Sequence, residues 1–404
     1  MSTSLLYHAW GIRGYRHVRA QFEAGSVIFH VEHAPDEVLR CSRCGGSDVV
    51  RRGKVLRRWR TTPIGPKPVF IQMEVQRVGC SDCGLVRQVK VGFAQARLSY
   101  TRFLARYALG LCRHMTLQDV ADHLGMSWDT IKDIQKSDLQ RRYSEAPLKG
   151  LRWIAIDEIA VRKRHRYMTV VMDLETGHAV FVGDGKGGDA LKPFWKRLKR
   201  ARISPAAAAI DMSPAYIGAV ESNLPQTPIV FDRFHIVQLV HHTLSELRRS
   251  TQRTADAAGR KAVKGSLWVL LKNPENLDEG RQERRRLEEA LELNKGLAVG
   301  YYLKEDLRQL WSCWNKTAGR RFLQSWIRRA RMSGFALLKK LANTLSRHAE
   351  GILAWFDHPI STGPLEGLNN KIKTMKRQAY GYRDQEFFKL KILALHETKY
   401  ALVG

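Results

Sequence analysis

The 404-residue chain carries 68 Lys+Arg against 39 Asp+Glu, a formal net charge of +29. With 44% hydrophobic and 26% charged residues it reads as a folded globular protein, which excludes a disordered tail, and its length predicts more than one domain. No apolar run reaches the roughly 18 residues of a membrane helix, and Met1–His17 lacks the apolar core of a secretory signal, so a cytoplasmic protein with no membrane partner is expected. So large a positive excess predicts a polyanionic partner, with nucleic acid leading and a generically basic protein as the alternative.

Four of the six cysteines form two tight pairs, Cys41-Ser-Arg-Cys44 and Cys80-Ser-Asp-Cys83, each followed by a glycine, Gly45 and Gly84. Glycine suits a knuckle that turns sharply and aims backbone N–H groups at sulfur. Four thiolates on two knuckles match a closed tetrahedral site, so structural Zn²⁺ is expected on Cys41, Cys44, Cys80 and Cys83. Two disulfides or a redox pair are the alternative, which a reducing cytosol disfavours. The pairs lie farther apart than in a usual ribbon. Between them, Val49–Val78 reads as basic strands turning at Pro63–Pro68, a long hairpin that bridges the gap. Cys112 and Cys313 stand alone and are expected to be buried apolar residues.

From Tyr100 to Arg142 the pattern is helical, with Phe103, Tyr107 and Leu111 recurring on one face. Thr116 suits the N-cap of a second helix holding Val120, Ala121 and Leu124. Gly125 and Met126 then turn the chain, and Ser127 caps a third helix with Ile131 and Ile134. The arrangement resembles a helix-turn-helix with recognition helix Ser127–Leu139, whose Trp128, Asp129, Thr130 and Lys132 would face DNA. An ordinary three-helix packing unit is the alternative. Pro147–Gly150 marks a domain boundary.

Beyond it, Trp153–Asp157, Tyr167–Asp173 and Ala179–Val182 read as a three-stranded meander turning at Glu175-Thr176-Gly177. A helix (Ala190–Ala201), a strand (Ala206–Asp211), a helix (Pro214–Asn223), a strand (Pro228–Phe231) and a helix from about Phe234 follow. This β-β-β-α-β-α-β-α order is the ribonuclease H-like arrangement. Residues 250–350 read as helices throughout, an insertion, and Leu365 to His396 is helical again. A strand ending in Asp sets a carboxylate at the sheet edge, where open α/β sheets bind ligands. Asp157 and Asp211 both end apolar strands in this way, and Glu366 on the late helix would complete a set of hard oxygen donors for two Mg²⁺ (or Mn²⁺) ions. Taken singly, each acid also fits a turn, an N-cap or a helix first turn. Residues 1–150 hold +11 and residues 250–350 hold +10 of the net charge, which predicts two DNA-gripping regions flanking a metal site.

With these residues in view, the sequence resembles the DDE transposases of bacterial insertion sequences, specifically the ISL-three family. The resemblance spans nearly the whole chain. It is carried by the four cysteines ahead of a helix-turn-helix, Ile154-Ala-Ile-Asp-Glu158, Ile210-Asp-Met-Ser-Pro-Ala-Tyr216, Phe231-Asp-Arg-Phe-His235, and Glu366-Gly-Leu-Asn-Asn-Lys-Ile-Lys373 with Lys376-Arg377 and Tyr380-Gly-Tyr382. It implies that Asp157, Asp211 and Glu366 are the metal-binding triad and that an insertion precedes Glu366. It matches Asp232 and His235 to a family segment, where they would support the metal site or contact DNA; a helix N-cap and a packed histidine explain them equally well. Lys371, Lys373, Lys376 and Arg377 would contact scissile phosphates, with a solvated basic face as the alternative.

The expected protein is a multidomain α+β chain: a zinc ribbon with N-terminal strands (1–95), a helix-turn-helix (96–148), a ribonuclease H-like α/β catalytic core (149–250), an all-α insertion (251–355) and the C-terminal helices of the core (356–404). Its expected work is DNA transposition on the inverted-repeat ends of its element and on target DNA, as a dimer or larger assembly when two ends are paired, near the bacterial nucleoid. A zinc-ribbon/helix-turn-helix regulator and a ribonuclease H-like nuclease without strand transfer are the alternatives.

Overall fold

A computed structural model describes residues 5–35, 37–145, 147–162, 166–254, 257–292 and 294–397. The last seven positions of the expected C-terminal segment, 398–404, lie outside the described residues. The described chain divides into two compact units that meet between Ser144 and Glu145.

The first unit opens with α1 (Leu5–Trp10), β1 (Tyr15–Glu23) and β2 (Ser26–His33), followed by β3 (Val49–Ile64), β4 (Lys67–Cys80) and β5 (Val86–Gln88). The sheet order is β1-β2-β4-β3, with β5 on β4. The strands β3 and β4 form the expected long hairpin, paired from Ile64↔Lys67 to Val49↔Cys80, and this returns the second cysteine pair to the first. Alternation along these strands decides the core. Trp59, Val69, Ile71, Met73 and Val75 point inward with Val27, Phe29, Val31 and Trp10. Polar partners line the other face, where Arg58 donates to the directly opposite Gln72 at 2.9 Å.

Three helices complete this unit: α2 (Arg102–Leu111), α3 (Leu117–Leu124) and α4 (Trp128–Tyr143). Thr116 and Asp119 form a reciprocal capping box at the start of α3. The helix stops at Gly125, whose φ of 58° is left-handed, and the Ser127 side chain accepts from Thr130 N to start α4. One expectation needs correcting. On α2 the fully buried residues are Leu104 and Ala108; Phe103 packs half-buried on the sheet core and Leu111 on the helical core, while Tyr107 is exposed. Thr101 caps the helix and is itself buried, its hydroxyl donating to that of Thr61 in β3 at 3.1 Å. Arg60 Nη2 donates to the last carbonyl of α3, Leu124 O, at 2.9 Å. The zinc-ribbon sheet and the helix-turn-helix are therefore one body.

The second unit is built on β6 (Trp153–Arg162), β7 (Arg166–Asp173), β8 (Ala179–Asp184), β9 (Ala207–Ile210) and β10 (Ile229–Phe231), in the order β10-β9-β6-β7-β8. The β6-β7-β8 meander is antiparallel, while β9 and β10 add parallel to β6. Its linking helices are α5 (Lys192–Ala201), α6 (Pro214–Asn223) and α7 (Arg233–Thr254). This is the ribonuclease H-like arrangement. The strand β9 is apolar at every position, Ala207 to Ile210, because both faces are covered.

The expected insertion comprises α8 (Ala257–Val263), α9 (Leu267–Leu271), α10 (Glu283–Glu292), α11 (Lys295–Arg308), α12 (Lys316–Met332), α13 (Ala336–Arg347) and α14 (Ala349–Leu353). Much of it is not a separate body. Leu303, Leu323, Trp326, Leu341 and Leu353 join Ile154, Ile156, Ala208, Ile210 and Phe231 of the sheet in one hydrophobic core. A smaller cluster around Leu247, Val263, Leu270, Leu287 and Leu297 holds the outer helices. Gly351 lets α14 lie on the sheet, since a Cβ there would stand 2.4 Å from the Phe231 ring. Helices α15 (Gly363–Gln378) and α16 (Gln385–Leu393) close the unit against β6 and β8.

Candidate metal centres and DNA-contacting elements

The two cysteine knuckles are built alike. Gly45 and Gly84 adopt positive φ (78° and 68°) and donate back to Cys41 O at 3.0 Å and Cys80 O at 2.9 Å. Arg43 N approaches Cys41 Sγ at 3.4 Å, and backbone N–H groups at Cys44 and Arg43 pull the Cys41 thiol down to about 6. The four sulfurs lie within 4.8 Å of one another, with Cys41–Cys83 at 3.7 Å and Cys44–Cys80 at 3.5 Å. Disulfides require about 2.05 Å, whereas four thiolates around zinc at about 2.3 Å stand about 3.8 Å apart. The donor set fits structural zinc. Cys112 and Cys313 are half-buried, not buried as expected.

The carboxylate site begins with a correction: Asp157 does not end its strand. The strand β6 runs on to Arg162, and Asp157 pairs with Val170 of β7. Its open side arises because pairing to β9 stops at Ala155↔Ala209. Carrying that parallel register two residues forward sets Asp157 level with Asp211, and carrying Ile210↔Phe231 one residue forward sets Asp211 level with Asp232. By this extension of the pairings the three aspartates fall level with one another, Asp157 within β6, Asp211 just after β9 and Asp232 just after β10. The chain builds β7 and β8 on one side of β6 and returns to build β9 and β10 on the other. Asp157 and Asp211 thus flank the point where the connections diverge, where such sheets bind ligands.

Each aspartate has distinct partners. Asp157 Oδ1 accepts from Glu158 N at 2.7 Å and its Oδ2 from Asn369 Nδ2 at 2.9 Å. Burial pushes the Asp157 carboxyl above its ordinary value, Asp211 and Glu158 add repulsion, and the Glu158 N–H and His235 pull it back. Asp211 is half-buried and accepts from Ser213 N at 3.0 Å, turning the chain into α6. Asp232 is buried and fully engaged: Oδ1 accepts from Phe234 N at 2.8 Å, and Oδ2 accepts from Thr362 N at 2.8 Å and from the Thr362 hydroxyl. Thr362 is the N-cap residue of α15, so Asp232 fixes where that helix starts. Half-buried His235 follows in the first turn of α7.

Glu366 occupies the exposed first turn of α15, one helical turn before Asn369. Among the described residues only the four cysteines gather as a metal-ligand group; Asp157, Asp211 and Glu366 do not form one. Farther along α15, Lys371, Lys373 and Arg377 are exposed, while Lys376 is half-buried and donates to Val161 O of β6. On α4, Trp128 and Asp129 are exposed and Thr130 is half-buried. Lys132 Nζ stands 5.5 Å from the Trp128 ring centroid and 3.5 Å from Asp129.

Three residues at the site carry roles that the sequence reading missed; Asn369 and Tyr216 lie within its motifs, and Thr362 lies outside them. Asn369 and Thr362 hold the two aspartates. Buried Tyr216 brings its hydroxyl within 3.1 Å of Thr169 Oγ1, accepts from Gly187 N at 3.3 Å and donates to Glu158 at 3.4 Å, and burial pushes it up to about 12. A polar residue three positions after Glu366, one turn along the same helix face, was the available signal for Asn369.

Comparison with known proteins decides the family. Residues 154–392 match the ISL3-type DDE transposase model, residues 89–137 the helix-turn-helix domain of transposase family ISL3, and residues 37–83 the zinc-finger of IS204/IS1001/IS1096/IS1165 transposases. The transposase for insertion sequence element IS1001 of Bordetella parapertussis is 34% identical over 98% of both chains. The chain belongs to the ISL3 family of transposases. Another relative of this ISL3 transposase is the transposase for IS1557 of Mycobacterium tuberculosis (strain CDC 1551 / Oshkosh), 28% identical over 95% of this chain and 91% of that one. A Drosophila P element transposase strand transfer complex aligns at 12% identity and a TM-score of 0.40, over 73% of this chain and 92% of that one. The family membership makes the second unit the catalytic part of a DDE-type transposase and the first its DNA-binding part.

Proposed function

We propose that this ISL3 transposase binds the terminal inverted repeats of its own element, hydrolyses the phosphodiester there, and joins the freed 3′-hydroxyl to target DNA. In this reading Asp157, Asp211 and Glu366 hold Mg²⁺ or Mn²⁺. The observation that carries it is the level placement of Asp157 and Asp211 beside each other at neighbouring parallel strands, with the helix bearing Glu366 latched to Asp157 through Asn369 and to Asp232 through Thr362. The donors are hard oxygens, which suit these ions. Cations held by these residues would supply activation of the attacking oxygen and neutralisation of the leaving one.

The chain's own residues do the positioning. Glu158 N and Asn369 hold the Asp157 carboxylate in one orientation, and Asp232 fixes the start of the helix from which Glu366 projects. Exposed Lys371, Lys373 and Arg377 follow on that helix and neutralise the DNA backbone near the reacting phosphate. Lys376 seats the helix on β6 instead. Helix α4 enters the major groove with Trp128 and Thr130 near its start, and Lys132 supports Trp128 from below. Pairing two ends requires at least a dimer during the reaction, in the cytoplasm at the nucleoid.

The test is a strand-transfer assay with precleaved inverted-repeat ends, a target plasmid and Mg²⁺. Joined products that need the correct end sequence are expected. Hydrolysis of DNA without joining, at any sequence, would replace this function with that of a nuclease.

A further inference from the structure

Asn369 is 5% exposed, and its Nδ2 donates to Asp157 Oδ2 at 2.9 Å. The oxygen of the same amide, Oδ1, is buried and has no hydrogen-bond partner. A buried amide oxygen without a donor is unfavourable, and folded proteins rarely retain one without a reason. Turning the amide over does not relieve it, because Oδ1 would then face the Asp157 carboxylate, oxygen against oxygen, and Nδ2 would lose its acceptor. The conflict is built into the site. Asp157 takes the N–H end of the amide, and the other end is left waiting for a donor or a cation beside that carboxylate.

We infer that Asn369 is a fourth member of the metal site, its amide N–H orienting Asp157 while its free oxygen accepts from the hydration shell of the divalent cation held by that aspartate. The inference rests on the reading of Asp157 as a metal-binding residue. It accounts for three features together: the burial of a polar side chain, its single satisfied end, and its place one turn after Glu366 on the helix latched by Asp232 and Thr362. A hydrated cation held by Asp157 supplies what Oδ1 lacks, a polarised water O–H beside that carboxylate. Groups that orient a metal-binding carboxylate in this way typically change metal affinity 10–100-fold when removed.

The experiment measures Mn²⁺ binding to the full-length, zinc-loaded protein by electron paramagnetic resonance, without DNA, for wild type, Asp157→Asn, Asn369→Leu and Asn369→Asp. Asn369→Leu removes both ends of the amide at similar volume and is expected to weaken Mn²⁺ binding about 10–100-fold. Asn369→Asp keeps an oxygen but removes the N–H and adds a negative charge beside Asp157. It is expected to bind Mn²⁺ at least ten times more tightly than Asn369→Leu. Two results overturn the inference: Asn369→Leu binding as wild type does, or Asn369→Asp binding no better than Asn369→Leu, which would leave Asn369 only its hydrogen bond to Asp157. Should Asn369→Leu fail to fold, as its thermal unfolding without metal would show, the near-isosteric Asn369→Asp decides alone, and Mn²⁺ affinity tenfold or more below wild type overturns the inference. Undiminished Mn²⁺ binding by Asp157→Asn would instead remove the metal role of Asp157, and the inference with it.

Discussion

The four-cysteine cluster and the proposed carboxylate set of this chain are organised in opposite ways. The cysteine set is closed: four sulfurs within 4.8 Å, each knuckle clamped by its own backbone, every donor facing the others. The proposed carboxylate set is staged: Asp157 within β6 and Asp211 just after β9, brought level by the parallel pairing, and an exposed glutamate on a helix whose start and middle are pinned. A closed donor set leaves no room for substrate and serves the fold. A staged set leaves positions for water and phosphate oxygens, which phosphoryl-transfer chemistry requires. On the proposed reading, this difference in geometry is what separates a structural site from a chemical one.

This contrast predicts different failures. Cys41→Ser should have the largest effect on stability, since structural zinc contributes on the order of 10 kcal/mol to folding of its site. Zinc content by atomic absorption should fall, and binding of inverted-repeat DNA should fall with it; retention of one zinc with normal DNA binding would contradict a structural site. Asp232→Ala should cost about 2–3 kcal/mol, by stranding the buried Thr362 N–H and hydroxyl, and should lower cleavage further than stability explains because Glu366 loses its fixed helix start. Denaturant unfolding compared with single-turnover cleavage checks both parts, and DNA-end binding should be unaffected. Ser127→Ala should cost about 1 kcal/mol by removing the N-cap of α4, weakening end binding while leaving the second unit's melting unchanged.

How much of this was legible in the sequence follows the range of each interaction. The knuckles, caps and meander are local, so Gly45, Thr116 and Ser127 announce them through backbone chemistry. The ribonuclease H-like order followed from strand and helix succession, and Asp211 directly follows its apolar strand as expected. The length of β6 was misread because Asp157 looks like a terminator. The strand continues because pairing with β7, out to Arg162↔Arg166, supplies hydrogen bonds that local propensity does not encode. The Asp232–Thr362 and Asp157–Asn369 contacts span 130 and 212 positions, and no periodicity reports such pairs. The helical segment 250–350 read as an appended body because its apolar spacing is ordinary. Only packing shows that Trp326 and Leu341 share a core with Ile154. The face of α2 was misassigned by an aromatic, Tyr107, whose spacing fits a core position but whose ring is exposed.

The most direct test of the division between the two sites reads end binding and cleavage on the same Asp157→Asn protein in Mg²⁺. The account predicts gel-shift affinity for inverted-repeat DNA within about twofold of wild type and cleavage reduced by at least about a thousandfold, the scale of losing an electrostatic anchor of the transition state. Cleavage at the wild-type rate would contradict it.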